Sequence, residues 1–210
     1  MKVLLLSRYG RLGASSRLRS YQFLPLLAAH GVEVDASALF DDDYVAALYR
    51  GERPAPLVVR GFARRIGALS RARAYDAFWV EKELLPWLPA WLERALVPPD
   101  VPMVVDYDDA IFHQYDHHRS PLVRRVLGRK IDAVMRRAAL VLAGNEYLAA
   151  RARAAGAPRV ETVPTVVDIA RYEIPAPAPR RACTIGWIGN PGTARYLSLI
   201  ASPLRAIAQR

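Results

Sequence analysis

The stretch "KVLLLSRYGRLGASSRLRS", residues 2–20, decides the reading of the fold. A short apolar run leads through two glycines and three serines into a helical pattern. A continuous apolar run of that length, bounded by turn residues, predicts a strand buried on both faces. A strand that feeds a helix through a glycine loop is the opening unit of a parallel α/β sheet. The helical pattern carries Leu18, Tyr21, Leu24, Leu27 and Ala28 on one face. It stops at His30-Gly31, where glycine suits a left-handed cap. Pro25 lies inside it and predicts a kink, or a later start of the regular helix.

The alternation recurs along the chain. Strands are predicted at "VEVDAS" (32–37), "AFWVEK" (77–82), "PMVVDY" (102–107), "ALVLAG" (139–144) and "VETVP" (160–164). Helical patterns lie near 57–74, 85–96, 120–137 and 146–155. Residues 1–172 are therefore expected to form a doubly wound, Rossmann-like, mostly parallel α/β domain. Ligands of such sheets bind beyond the carboxyl ends of the strands, where helix N-termini present free N–H groups. Residues 173–182, "EIPAPAPRRA", read as a stiff Pro-rich linker. Residues 183–210 then restart with a strand, a glycine turn and a helix bearing Tyr196, Leu197, Ile200, Leu204 and Ile207 toward one side. One strand and one helix cannot bury their own apolar faces, so the expectation is an incomplete second domain.

Composition narrows the classes. With 210 residues and 52% hydrophobic content, the chain can bury a sizeable core. Its single cysteine, Cys183, excludes an intrachain disulfide and a cysteine zinc finger, and points to a reducing cytoplasm. No run approaches the roughly 20 apolar residues of a membrane span. The net charge of +10 suits an anionic partner. Only Lys2, Lys82 and Lys130 are lysines, however, and genome composition alone can produce such an arginine bias. The arginine-rich segment "RGFARRIGALSRARA" (60–74) places Phe62, Ile66 and Leu69 on one face, which would let a helix lie on an anionic membrane or stand as a solvated surface helix. Trp87 and Trp91 fit either a membrane interface or core packing. No zinc, helix-turn-helix or RNA-recognition pattern supports a nucleic-acid partner.

The candidate chemistry sits in the loops. Gly10 and Gly13 permit close approach of a ligand, Ser15 and Ser16 are candidate N-caps, and Arg17 suits a negative group. The loop lacks both the dinucleotide glycine fingerprint and the P-loop pattern. At the end of the fourth predicted strand stand Asp106, Asp108 and Asp109. They can contact a hydroxyl-bearing substrate, cap the next helix or hold a divalent cation; no further acid on a later strand end completes a metal set. His113, His117 and His118 lack regular ligand spacing with a clear third partner and read as a polar loop, though a histidine there can donate to substrate. Asn145, at the next strand end, can bind substrate or cap its helix. Gly186, Gly189, Gly192, Thr193 and Arg195 form a second loop of the phosphate-receiving kind.

Taken in order, "GASSRLRS", "DAFWVEKELLP", "VVDYDDAIF", "LAGNEYLAARA", "VETVPTVVDIARY" and "IGWIGNPGTARYL" resemble the retaining glycosyltransferases of the GT-B fold, family 4 in particular. The resemblance implies an acceptor-side N-terminal domain facing a nucleotide-sugar domain, and transfer without a metal or other cofactor. It implies that Gly13, Ala14, Ser15 and Arg17 form the first cleft loop, and that Asp106, Asp108 and Asp109 reach the reacting sugar, where many relatives place a histidine. His113 and Asn145 would touch substrate, and Pro164, Thr165, Val167 and Asp168 would mark the crossover. Gly189, Thr193 and Arg195 would face the nucleotide sugar. The family's acidic donor-gripping element falls downstream of Arg210, so the expectation is a partial transferase with little activity alone. Acceptors would be glycans or lipid-linked, with peripheral contact on the inner membrane face. The alternatives are a metal-dependent phosphohydrolase using the aspartates and a non-catalytic polyanion- or membrane-binding module.

Overall fold

Each of the six apolar runs becomes a strand. The computed structural model describes residues 1–173, 185–189 and 191–208. The order is β1 (Lys2–Leu6), α1 (Ala14–Arg19), α2 (Leu24–Ala29), β2 (Glu33–Ala36), α3 (Asp42–Tyr49), α4 (Ala55–Leu69) and β3 (Ala77–Glu81). There follow α5 (Ala90–Leu96), β4 (Met103–Tyr107), α6 (His113–Asp116), α7 (Pro121–Leu127), α8 (Lys130–Arg137), β5 (Leu140–Ala143), α9 (Glu146–Ala154) and β6 (Val160–Thr162). The strands form one sheet in the order β2-β1-β3-β4-β5-β6, with every neighbouring pair parallel. This is a Rossmann-like α/β fold.

Crossover handedness decides what covers the sheet. Parallel connections are right-handed, so a step in one direction puts its helix on one face and a step the other way puts it on the opposite face. Only the β1–β2 step runs one way, and α1 and α2 belong to it; all later steps run the other way. The face carrying Leu4, Leu6, Phe78, Val80, Val105, Tyr107, Val141 and Ala143 is sealed by Ala68 and Leu69 of α4, Ile131, Val134 and Met135 of α8, and Leu148, Ala149 and Ala152 of α9. The opposite face, with Trp79, Val104 and Leu142 half-buried, lines an apolar groove edged by Phe23, Leu26 and Leu27. The expectation of burial on both faces therefore holds for one face and only in part for the other.

Several helical expectations need correction. The first helix is broken at Ser20 by a 3-10 turn over Tyr21–Phe23, and Pro25 sits in the first turn of α2, where its missing N–H costs nothing. Gly31 takes the left-handed cap, with φ 75°. The pattern at 85–96 is helical only from Ala90, because Pro86 and Pro89 keep the preceding residues out of a helix. That at 120–137 divides at Gly128-Arg129. The stripe of Phe62, Ile66 and Leu69 is split: Leu69 is buried and Ile66 exposed, and the inward positions of α4 are Gly61, Arg65, Ala68 and Leu69.

Most of the predicted linker (174–182), with Cys183, Thr184 and Asn190, lies outside the described residues. Residues 185–189 are exposed and in no strand. Beyond them, α10 (Pro191–Ala194), a 3-10 segment over Arg195–Ile200 and α11 (Ala201–Ala208) pack against one another.

Candidate functional site

The chain leaves β1 toward β2 and returns to place β3 on the other side of β1. The loops after β1 and β3 consequently part toward opposite faces at the carboxyl edge, the switch point where sheets of this kind form their ligand crevice. Charged side chains converge there.

The loop after β1 is tightly packed. Ser7 donates to the Tyr9 carbonyl at 2.8 Å, Tyr9 N–H donates to Ser16 Oγ at 3.1 Å, and Leu12 N–H donates to Asp42 Oδ1 at 2.9 Å. A Cβ on Gly10 would collide with the Asp42 carboxylate, and one on Gly13 with the Tyr9 side chain. The glycines thus serve close packing within the loop itself.

The loop after β3 carries the charge. Glu81 is 2% exposed; its Oε2 accepts from Arg8 N–H at 2.9 Å and from Ser16 Oγ at 2.6 Å, while Oε1 has no hydrogen-bond partner among the described residues. Burial pushes this carboxyl above its ordinary pKa, more than Ser16 and Arg8 pull it down. Lys82 takes a left-handed backbone, φ 67°, and Trp87 does so at 65°, so two non-glycine residues in an uncommon conformation bracket the loop. The Lys82 ammonium reaches Asp108 Oδ1 at 2.9 Å and Asp109 Oδ2 at 2.8 Å. Burial raises the Asp108 carboxyl, but the Lys82 charge and hydrogen bonds from Ser15 and Lys82 outweigh it and hold the group below its usual pKa. The same Lys82 is held above the ordinary lysine value: burial lowers it, and Asp108 and Asp109 more than compensate.

A buried scaffold fixes this loop. Lys130, fully enclosed, lies 2.6 Å from Glu83 Oε2 and 2.8 Å from Glu93 Oε1 and donates to the Leu85 carbonyl at 2.5 Å. Tyr115 donates to Glu83 and accepts from Trp87 N–H at 3.0 Å, and Arg8 pairs with Glu83 at 3.1 Å. Arg65, with no solvent exposure, donates to the carbonyls of Ser7 and Leu84. Burial pushes its guanidinium down to about 10, which leaves it cationic at neutral pH.

Of the candidate residues, the structure brings Ser15, Asp108 and Asp109 together, while Gly13 packs on Tyr9 and stands at the N-cap of α1. Asp106, although adjacent in sequence, points onto the groove face and is 3% exposed, paired with Arg19 through two nitrogens at 2.5 and 3.0 Å. Arg19 also donates to the Val163 carbonyl at 2.5 Å, tying α1 to the end of β6. Ala14 and Arg17 are exposed, and Arg17 donates to the Arg11 carbonyl at 3.0 Å. Asn145 caps α9, its Oδ1 accepting from Leu148 N–H at 3.0 Å. His113 bonds Asp116 and Tyr147. In the later segment, Thr193 lies in α10, Gly189 just ahead of it, and Arg195 donates to the neighbouring Tyr196 hydroxyl at 3.1 Å. Glu81, Lys82, Glu83, Arg8 and Arg19 were not candidates on sequence grounds, and Ser16, expected as an N-cap, instead lies inside α1 and donates to Glu81. For Glu81, Lys82 and Glu83 the signal is three consecutive charges directly after the apolar run "AFWV".

No family model and no curated protein matches the chain. The reading of its function therefore rests on the crevice. Chemically, the crevice offers two carboxylates paired with one ammonium, suited to accepting hydrogen bonds from hydroxyl groups. Lys82 occupies the position between Asp108 and Asp109 where a divalent cation would otherwise bridge them. Among the described residues no helix is long and apolar enough to cross a membrane.

Proposed function

We propose that the crevice binds the hydroxyl-bearing acceptor of a glycosyl transfer, with a nucleotide sugar as donor. The observation that carries this reading is the meeting of the Ser15 loop with the Lys82–Asp108–Asp109 cluster at the switch point. A carboxylate held below its ordinary pKa is a poor base. Asp108 accordingly orients the acceptor hydroxyl by accepting its hydrogen bond. The acceptor oxygen bonds the anomeric carbon, the bond to the nucleotide diphosphate breaks, and the departing phosphate takes the proton. Lys82 holds Asp108 in its ionised form and pairs with Asp109, and Asp106 positions α1 through Arg19. Gly189, Thr193 and Arg195 are assigned to the nucleotide sugar, and exposed Trp87 and Trp91 to peripheral contact with a membrane that carries the acceptor. Metal-dependent phosphohydrolysis fits less well, because ammonium and guanidinium groups already neutralise the aspartates.

The test is transfer of labelled sugar from a panel of nucleotide sugars to glycan and lipid acceptors. Asp108→Asn is expected to lower turnover about a hundredfold, the scale at which misplaced reactants lose rate. Unchanged turnover in that variant would sink the assignment. Phosphate release from phosphate esters that appears with Mg²⁺ and vanishes with chelator would replace it with the hydrolase reading.

A further inference from the structure

At the outer rim of the same edge, α6 brings His113, Asp116 and the following His117 together. One ligand atom from each lies within 4.8 Å of the others. Asp116 Oδ1 is the point of convergence, 2.9 Å from His113 Nδ1 and 3.8 Å from His117 Nε2. Histidines four apart share one face of a helical turn. Asp116 is the third partner that the spacing of the histidines alone does not reveal.

We propose that His113, Asp116 and His117 form a site for a borderline first-row divalent cation, of which Zn²⁺ is the ordinary representative. Bonds of about 2.0–2.2 Å to nitrogen and carboxylate oxygen place tetrahedral ligands about 3.3 Å apart. The two observed separations bracket that value, and a rotation of the exposed His117 ring out of its stack on His113 closes the site. The surroundings are arranged as around a ligand set. Arg151 takes the other oxygen of Asp116 at 3.3 Å and is itself fixed by Asp132 at 2.7 Å, which turns Oδ1 toward the imidazoles. The second nitrogen of His113, Nε2, lies 2.7 Å from the Tyr147 hydroxyl. With Nδ1 on the cation, the imidazole proton resides on Nε2 and is donated to Tyr147, the outer hydrogen bond that orients a ligating histidine. A fourth position stays open to solvent, since the His117 side chain is 71% exposed. Two imidazoles and one carboxylate favour Zn²⁺ over Mg²⁺, which prefers oxygen donors. Because His113 reaches Tyr147 in the first turn of α9, the cation would fasten α6 to α9 just after the Asp108–Asp109 loop.

Equilibrium dialysis of the untagged full chain against Zn²⁺, followed by metal analysis, tests the site without reference to glycosyl transfer. The native chain is expected to retain one equivalent and His117→Ala to lose it, while His118→Ala keeps it. Tyr147→Phe is expected to weaken binding about tenfold, as removal of such a partner does. His117 is exposed, so its replacement leaves the fold intact, to be checked by circular dichroism. A native chain that retains no Zn²⁺, a His117→Ala chain that retains as much as the native one, or equal retention of Mg²⁺ overturns the proposal.

Discussion

Two segments of this chain are dense in charge, and the molecule uses them in opposite ways. Glu81, Lys82 and Glu83 all lie inside, each at most 5% exposed, and each meets a partner of defined geometry. In α4, Arg60 is exposed and Arg64 partly so, both pairing with Asp41 at the surface. The difference follows from position relative to the sheet. Charges that directly follow a central buried strand fall at the crevice edge and must be neutralised there, whereas those on an outer helix remain solvated. Arg65 shows that the rule works residue by residue. It belongs to the arginine-rich helix, yet it faces the β1 and β3 loops and is enclosed with them.

Removing a charge from each region tests the contrast most directly. The largest effect is expected for Lys130→Met, which leaves Glu83 and Glu93 buried without their cation. Breaking such a pair from one side costs about 3–5 kcal/mol, read as a fall in the urea midpoint. A loss below about 1 kcal/mol would show that these carboxylates find water or each other as partners. Asp106 gives an intermediate, pH-dependent effect. Burial lifts its carboxyl from the ordinary 3.8 to about 6 despite Arg19. Between those values the native state holds a proton that the unfolded chain has released. The contribution of Asp106 to stability therefore declines as pH rises from 3.8 to 6 and stays flat above, by roughly 3 kcal/mol at most. Asp106→Asn is expected to remove that part of the slope; parallel pH profiles for the two proteins would show that Arg19 keeps Asp106 ionised throughout. The smallest effect is expected for Arg60→Gln, whose melting temperature should match that of the native chain within error. A clear drop would place α4 in the same category as the interior network.

Much of the fold was legible because apolar runs and glycine turns report local needs. All six strands fall within the predicted segments, and Gly31 takes the cap expected of it. The break at Ser20 was not legible, since the apolar spacing from Leu18 to Ala28 continues across it; the turn answers to the packing of Ser16 and Arg19 against the sheet. The open groove was equally hidden, because Trp79, Val104 and Leu142 are as apolar as their buried neighbours. Only the direction of the crossovers distinguishes the two faces. At the crevice, Asp108 and Asp109 were readable as polar residues at a strand end, and Ser15 as a polar residue of the first helix start, although Gly13 and not a serine is the N-cap. Their partner Lys82 was not, because it completes the cluster across two strands 27 residues apart along the chain.

The position of β1 between β2 and β3 bears on how the molecule assembles. Lys2 and Asp76, joined by a hydrogen bond, stand 74 residues apart, while β3, β4 and β5 each pair with the next strand along the chain. Closing the longest loop carries the greatest entropic cost, so the seam between β1 and β3 is the one that neighbouring strands help least to form. The crevice straddles that seam. A chain weakened anywhere along it would forfeit the proposed acceptor recognition while most of its helical and strand content persisted.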